Sequence, residues 1–153
     1  MILSVIFNRR LGSKGKQTDM KLSTMGRYGL RTLMDIAEHQ HAGPVTLQSI
    51  SKRQELSQKY LWHVITPMKN AGLIKVTRGA GGGYKLALEP EQITLLDILT
   101  AVEGKICIVP CVHSASSCKR SRTCTAKTAW ETVNDAICDS LKTLTLDSLL
   151  APS

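Results

Sequence analysis

The chain has 153 residues, of which 42% are hydrophobic and 21% are charged. This length suits one ordinary domain with a real core. No run of about eighteen apolar residues is present, which argues against a membrane span. Eleven Gly and five Pro are too few for a low-complexity chain, and 4% aromatic residues argue against a stacking platform for single-stranded nucleic acid. The net charge of +8 favours a polyanionic partner.

The charge is distributed unevenly along the chain. Residues 1–19 carry a net charge of +3, residues 20–88 carry +7, and residues 89–153 carry −2. This asymmetry predicts a nucleic-acid-binding module followed by an oligomerisation or sensing module. The alternative is a basic surface with no particular partner.

The first nineteen residues are expected to form a flexible basic extension. The apolar run Met1–Phe7 is followed by cations, whereas a signal peptide carries its cations before the apolar stretch. The segment that follows has the composition of a flexible linker. Met20 is an alternative start of the protein.

Three helices are predicted next, in chain order. Apolar residues at helical spacing predict a first helix between residues 23 and 43, which Gly43-Pro44 terminates. A second short helix is expected after Thr46, and a third between Ser57 and Gly72. Only Glu55-Leu56 separates the two short helices, and this spacing indicates a helix-turn-helix.

A hairpin is predicted directly after the third helix. Residues 73–77 and 84–88 are typical of two strands, and the loop Arg78–Gly83 between them has almost no side chains. A phosphate-binding loop would need a helix after it, whereas a strand follows here. The hairpin is therefore interpreted as a wing. Its bare backbone at Gly79 can approach a sugar-phosphate wall, while Arg78 can enter a narrow minor groove.

The second half is predicted to be helical around an irregular segment. Residues 91–104 form a connecting helix with Thr94 as its N-cap, and residues 105–125 show no periodicity. From Ala126 to residue 150 a final helix carries a nearly heptad-spaced apolar seam, which favours dimerisation. The expected fold is mainly α with a small β-wing, a winged helix-turn-helix over residues 20–90 joined to a long C-terminal dimerisation helix.

The irregular segment contains four of the five cysteines. An odd number of cysteines without a sign of secretion favours metal or redox chemistry over structural disulfides. The last three follow the pattern C-x6-C-x5-C, which lacks the paired C-x2-C of zinc sites and suits an iron–sulfur cluster. Lys119, Arg120 and Arg122 would offset its negative charge. Zinc binding, thiol-redox sensing and the absence of any cofactor stay open as alternatives.

Four stretches together carry a resemblance to a known family. They are Met20–Arg31, Ile50–Leu61, Asn70–Tyr84 and Ile93–Gly104. With them the chain resembles, over residues 20–150, the Rrf-type family of bacterial winged-helix transcriptional regulators. Its opening residues are most similar to the iron–sulfur cluster regulator IscR of that family. The resemblance implies a cytoplasmic homodimeric repressor or related regulator that binds a roughly palindromic DNA operator, not a membrane protein.

The resemblance also implies a ligand set for a cluster of iron and sulfur, with 2Fe–2S favoured over 4Fe–4S. The three cysteines that match by position are Cys111, Cys118 and Cys124. Lys127 stands where the similar regulators carry a histidine ligand. The fourth ligand is therefore open between Cys107, His113 and a residue of the partner subunit.

The residues predicted to contact DNA lie on the helix-turn-helix and the wing. They are Lys52, Arg53, Ser57, Gln58, Lys59, Tyr60, Trp62, His63, Arg78 and Gly79. Lys59 suits guanine edges and Gln58 suits adenine. Lys52, Arg53 and Ser57 are expected to contact phosphate.

A third class of function is an enzyme or electron carrier that uses a cluster. The sequence offers no general acid–base pair and no nucleophile–base spacing. Such a function would also leave the basic winged half unexplained, so an enzyme is not expected.

Overall fold

The computed structural model describes residues 22–151, so the expected extension over residues 1–19 lies outside the described residues. The helices in this range are α1 (Thr24–His39), α2 (Leu47–Gln54), α3 (Gln58–Asn70), α4 (Leu95–Glu103), α5 (Pro110–His113), α6 (Ala126–Thr143) and α7 (Leu146–Leu150). The strands are β1 (Ile74–Thr77) and β2 (Gly83–Leu86), and short 3-10 turns cover Gln40–Ala42, Pro90–Gln92 and Ala115–Ser117. No helix within residues 22–151 has the length and apolarity needed to cross a bilayer.

Side-chain hydroxyls determine where five of these helices begin. Each accepts a hydrogen bond from the backbone N–H three residues further on, and the capping residues are Ser23, Thr46, Ser57, Thr94 and Thr145. At α4 the Asp97 carboxylate also accepts from the backbone N–H of Thr94 at 3.0 Å, which confirms the predicted capping box. One such cap contributes about 1 kcal/mol to stability.

Helices α1, α2 and α3 form the predicted helix-turn-helix with its supporting helix. Between α2 and α3 the chain turns at Glu55, which adopts the left-handed conformation with φ 55°. The Ser51 hydroxyl donates to the carbonyl oxygen of Leu56 at 2.6 Å and holds this turn. The turn therefore sets the angle at which α3 leaves α2.

The wing is an antiparallel pair in which Ile74 faces Leu86 and Val76 faces Tyr84. Val45 pairs with the free edge of β2 as an isolated antiparallel bridge. Its N–H donates to the Tyr84 carbonyl and its carbonyl accepts from the Tyr84 N–H, both at 2.8 Å. Gly83 is needed at this contact, since a Cβ there would lie 2.6 Å from the Val45 carbonyl oxygen. These contacts fix the wing to the helical part, and the fold is mainly helical with a two-stranded wing, as predicted.

One hydrophobic core joins the helix-turn-helix and the wing to later elements. Its fully buried members include Leu33 of α1, Leu61 of α3 and Ile98 of α4, together with Ile93 and Leu146. The core therefore extends beyond residue 90.

The C-terminal end differs from the prediction of one helix up to residue 150. Helix α6 ends at Thr143, and the backbone of Leu144 accepts from Leu95 at 2.8 Å. Leu146 then donates its N–H to the Ile93 carbonyl at 2.8 Å and begins α7. The helix is interrupted where the chain pairs with the segment before α4, and this pairing buries Leu146 completely in the core. Likewise the cysteine segment, predicted without regular structure, contains α5, which Pro110 begins.

Candidate nucleic-acid interface and cysteine segment

The exposed face of α3 carries four of the predicted DNA contacts. Gln58, Lys59, Trp62 and His63 lie in the first two turns and are all exposed, with 57% of Trp62 accessible. The opposite face of α3 is buried in the core. Ser57 caps the helix, and a hydroxyl that accepts the capping bond still has an O–H to donate to phosphate. The structure therefore brings these five residues together on one surface.

Arg53 lies at the surface but forms an ion pair with Asp35 of α1. Its guanidinium donates to both carboxylate oxygens of Asp35, at 2.6 and 2.9 Å, and the Asp35 side chain is 1% exposed. Burial raises the pKa of Asp35, but the hydrogen bonds from Arg53 and Gln54 and the charge of Arg53 outweigh it, so the pKa lies below its ordinary value. The pair joins the end of α2 to α1. Arg53, which was predicted to contact phosphate, therefore has a structural role.

Tyr60 also packs within the domain. Its ring meets Tyr28 of α1 edge to face, with centroids 5.4 Å apart, and it is half-buried. Arg31 lies over Tyr28 at 5.5 Å and donates to the carbonyl of Gln54 at 2.8 Å. Through these contacts the α1 side chains Tyr28 and Arg31 hold α2 and α3 in place.

The remaining predicted contacts lie on the wing and on α2. Arg78 and Gly79 are exposed where β1 ends, and Gly79 adopts a positive φ of 106°, which favours glycine. Lys52 is exposed in the last turn of α2. The prediction omitted Lys69, which lines a cleft between α3 and the wing together with Trp62 and Arg78. Its spacing of seven residues from Trp62, two turns of helix, could have revealed it.

The cysteine segment is attached to α6 by a buried amide. Asn134 is 8% exposed, and its Oδ1 accepts from the backbone N–H of Ile108 at 3.1 Å. Its Nδ2 donates to the Cys138 sulfur at 3.7 Å. The five described cysteines are free thiols, of which Cys118 is exposed and the others are half-buried. The start of the cysteine segment, at Ile108, is thus held against the middle of α6.

The geometry does not provide a ready site for an iron–sulfur cluster. Within residues 22–151 no three His, Cys, Asp or Glu side chains lie close enough to share a metal ion. Lys127 is paired with Glu131 at 3.4 Å. The hydroxyl of Ser121, between Cys118 and Cys124, is buried without a hydrogen-bond partner among the described residues. The three cysteines therefore do not form a cluster ligand set in this conformation.

Comparisons with known proteins place the chain in a family. The family model described as "Rrf2: Iron-dependent Transcriptional regulator" matches residues 22–152. HTH-type transcriptional regulator CymR of Bacillus subtilis is 39% identical over 130 residues, which are 85% of this chain and 89% of that protein. HTH-type transcriptional regulator IscR of Aliivibrio salmonicida is 34% identical over 131 residues, 86% of this chain and 77% of that protein.

A solved structure agrees with these similarities. The solved structure of CymR, the global cysteine regulator of B. subtilis, matches with a TM-score of 0.70 and 36% identity, and the match covers 86% of this chain and 97% of that one. Similarity is divided between CymR and IscR, so the particular likeness to IscR expected from the opening residues is only part of the result. The chain belongs to the Rrf2 family of winged-helix, DNA-binding transcriptional regulators and is not an enzyme.

Proposed function

We propose that the protein is a homodimeric repressor or related regulator that binds a two-fold symmetric operator and responds to a signal through its cysteine segment. The observation that carries the DNA-binding part is the exposed N-terminal half of α3 beside Arg78, on a stretch with a net charge of +7. Bacterial operators lie in the cytoplasm, and the proposal places the protein there. Helix α3 reads the major groove while Arg78 enters the neighbouring minor groove.

Each predicted DNA residue has a part in this proposal. Gln58, Lys59 and His63 face base edges. Trp62 offers an apolar surface beside them. The outer phosphate contacts come from Lys52, Ser57 and the Gly79 backbone. Arg53 and Tyr60 act indirectly, since the first anchors α2 and the second packs α1 against α3.

The proposed dimer forms through α6. Its outer face lines an open apolar groove of about 440 Å³ that includes Val133, Ile137, Leu141 and Leu144. Val133 is 45% exposed and Leu144 is 39% exposed, so the strip is an uncovered, contiguous apolar surface of the kind that marks an interaction site. A second copy of α6 would cover this strip and match two α3 helices to two operator half-sites.

Two kinds of signal are candidates, each with its own support. An iron–sulfur cluster, 2Fe–2S by preference, is supported by the cations beside Cys118, by the unpartnered Ser121 hydroxyl and by the similarity to IscR. It would require Cys111, Cys118 and Cys124 to come together. Thiol chemistry without a cluster is supported by the separation of the cysteines and by the similarity to CymR.

The DNA-binding proposal is tested with the Arg78→Ala variant. We expect weaker binding to a duplex selected from a random pool by the wild-type protein, and a salt slope reduced by about 0.9 for each lost phosphate contact. Lys142→Ala, on α6, is the control and should leave both unchanged. Equal affinity and slope for Arg78→Ala would remove this residue from the interface.

The sensing proposal is tested by the metal content of protein purified without oxygen. Two iron and two sulfide per subunit, with visible absorption lost in Cys118→Ala, would support the cluster. Protein free of iron whose duplex affinity changes when its thiols are oxidised would support thiol sensing. A triple cysteine variant that binds duplex identically under every condition would refute both.

A further inference from the structure

The cleft between α3 and the wing has a position that constrains its occupant. Trp62 of α3 lies at one side, Arg78 at the base of the wing lies at the other, and the cleft has a volume of about 360 Å³. In B-DNA a sugar-phosphate strand separates each major groove from the neighbouring minor groove. If α3 occupies the first groove and Arg78 the second, that strand must pass between them.

The walls of the cleft are apolar and partly open to solvent. Trp62 is 57% exposed and Val76 is 47% exposed, two of the large apolar side chains that the described chain leaves uncovered. Ile65 closes the floor between them and is itself buried. Val76 lies two residues after the buried Ile74 on the same face of β1, so the core side of the wing continues into this cleft.

The charges around the cleft suit a phosphate. Among the described residues that line it, Lys69 and Arg78 are cations and none is an acid. Burial raises the pKa of Tyr84, so its ring stays neutral and adds no negative charge there. The Thr66 hydroxyl donates to the Trp62 carbonyl at 2.7 Å, and Lys69 is the cationic donor that α3 offers to a phosphate in this cleft.

We propose that this cleft holds the DNA strand between the two grooves, with deoxyribose against Trp62 and Val76 and a phosphate bound by Lys69. The inference rests on the proposed mode of DNA binding and adds two roles to it. Lys69 becomes a phosphate ligand, and Trp62 becomes a wall for the sugar. A volume of about 360 Å³ would also admit a small ligand, but a strand is the occupant that the flanking groove contacts require.

The first test uses a fluorescein-labelled duplex recovered from a random pool by the wild-type protein. Lys69→Ala should bind about 5–10-fold more weakly near 0.1 M salt, with its salt slope reduced by about 0.9. Ethylation of one phosphate should block the wild type and have little further effect on the variant. Lys142→Ala is the matched control, since both lysines are exposed near the end of a helix.

The second test follows Trp62 directly. In the Trp130→Phe variant the emission of Trp62 should change on adding the duplex, whereas in Trp62→Phe the emission of Trp130 should not. A normal salt slope for Lys69→Ala, or an unchanged Trp62 emission, in protein that binds the duplex would overturn the inference. The inference would also be overturned if a small molecule purified with the protein and its removal changed the Trp62 emission, because that molecule would then be the occupant of the cleft. If the wild type binds no duplex at all, the proposed function itself fails.

Discussion

Replacing Asp35 with asparagine removes the buried negative charge that joins α1 to α2 and leaves the size of the side chain nearly unchanged. The Asp35 side chain is 1% exposed and accepts two hydrogen bonds from Arg53 and one from Gln54. Breaking a buried ion pair typically costs 3–5 kcal/mol. The Arg53 side chain that remains is 33% exposed and can be rehydrated, so the expected loss lies below that range, at about 2 kcal/mol.

Urea unfolding measures this loss. With a slope of about 2 kcal/mol/M, the Asp35→Asn midpoint should fall by about 1 M. Arg53→Met should cost more, because it leaves a buried carboxylate without its cation. The double variant should lose less than the sum of the two, with a coupling energy of about 2 kcal/mol. A coupling energy near zero would refute the assignment of this pair as the anchor of α2.

The pH dependence has a defined sign. The pKa of Asp35 is lower in the folded protein than its ordinary value of 3.8, so its contribution is complete above pH 3.8 and is lost as the pH falls below it. The difference in unfolding free energy between the wild type and Asp35→Asn should be constant from pH 7 to about pH 5 and shrink toward pH 3. A difference that is unchanged at pH 3 would contradict this reasoning.

Three further substitutions, one of them with a matched control, test the local geometry. Glu55→Gly should raise the free energy of unfolding by about 0.5–1 kcal/mol, measured in urea, because glycine adopts the left-handed turn without strain. Gly83→Ala should lower the thermal midpoint by several degrees, since its Cβ would meet the Val45 carbonyl. Leu146→Ala should cost about 2–5 kcal/mol, whereas Leu144→Ala, at a residue 39% exposed, should cost far less; equal costs would place α7 outside the core.

The local signals in the sequence were sufficient for the DNA-reading half. Helical spacing, hydroxyl caps and the glycine-rich loop depend on neighbouring residues, and the structure has the expected helices and wing there. The roles of Arg53 and Tyr60 depend instead on α1, whose Asp35 and Tyr28 are about 18 and 32 residues away in the chain. The hydrophobic periodicity of the sequence does not reveal contacts between residues so far apart in the chain.

The same reason explains the end of α6. The apolar seam includes Leu144, one residue past the end of the helix, so only the pairing with the segment before α4 reveals that the helix stops at Thr143. The cysteines are a different case, because C-x6-C-x5-C predicts shared chemistry, while the path of the segment decides whether the sulfur atoms meet.

Because α7 packs into the shared core, the helix-turn-helix and the wing do not form a unit separate from the rest of the chain. A fragment cut at residue 90 would lose Ile93, Ile98 and Leu146 from beneath α1 and α3, and would expose the apolar surface they cover. Helix α6 is therefore joined to the core at its C-terminal end, where Leu144 accepts from Leu95 and Leu146 donates to Ile93. A change in the cysteine segment that displaced α6 would therefore act on the same core that supports α1 and α3.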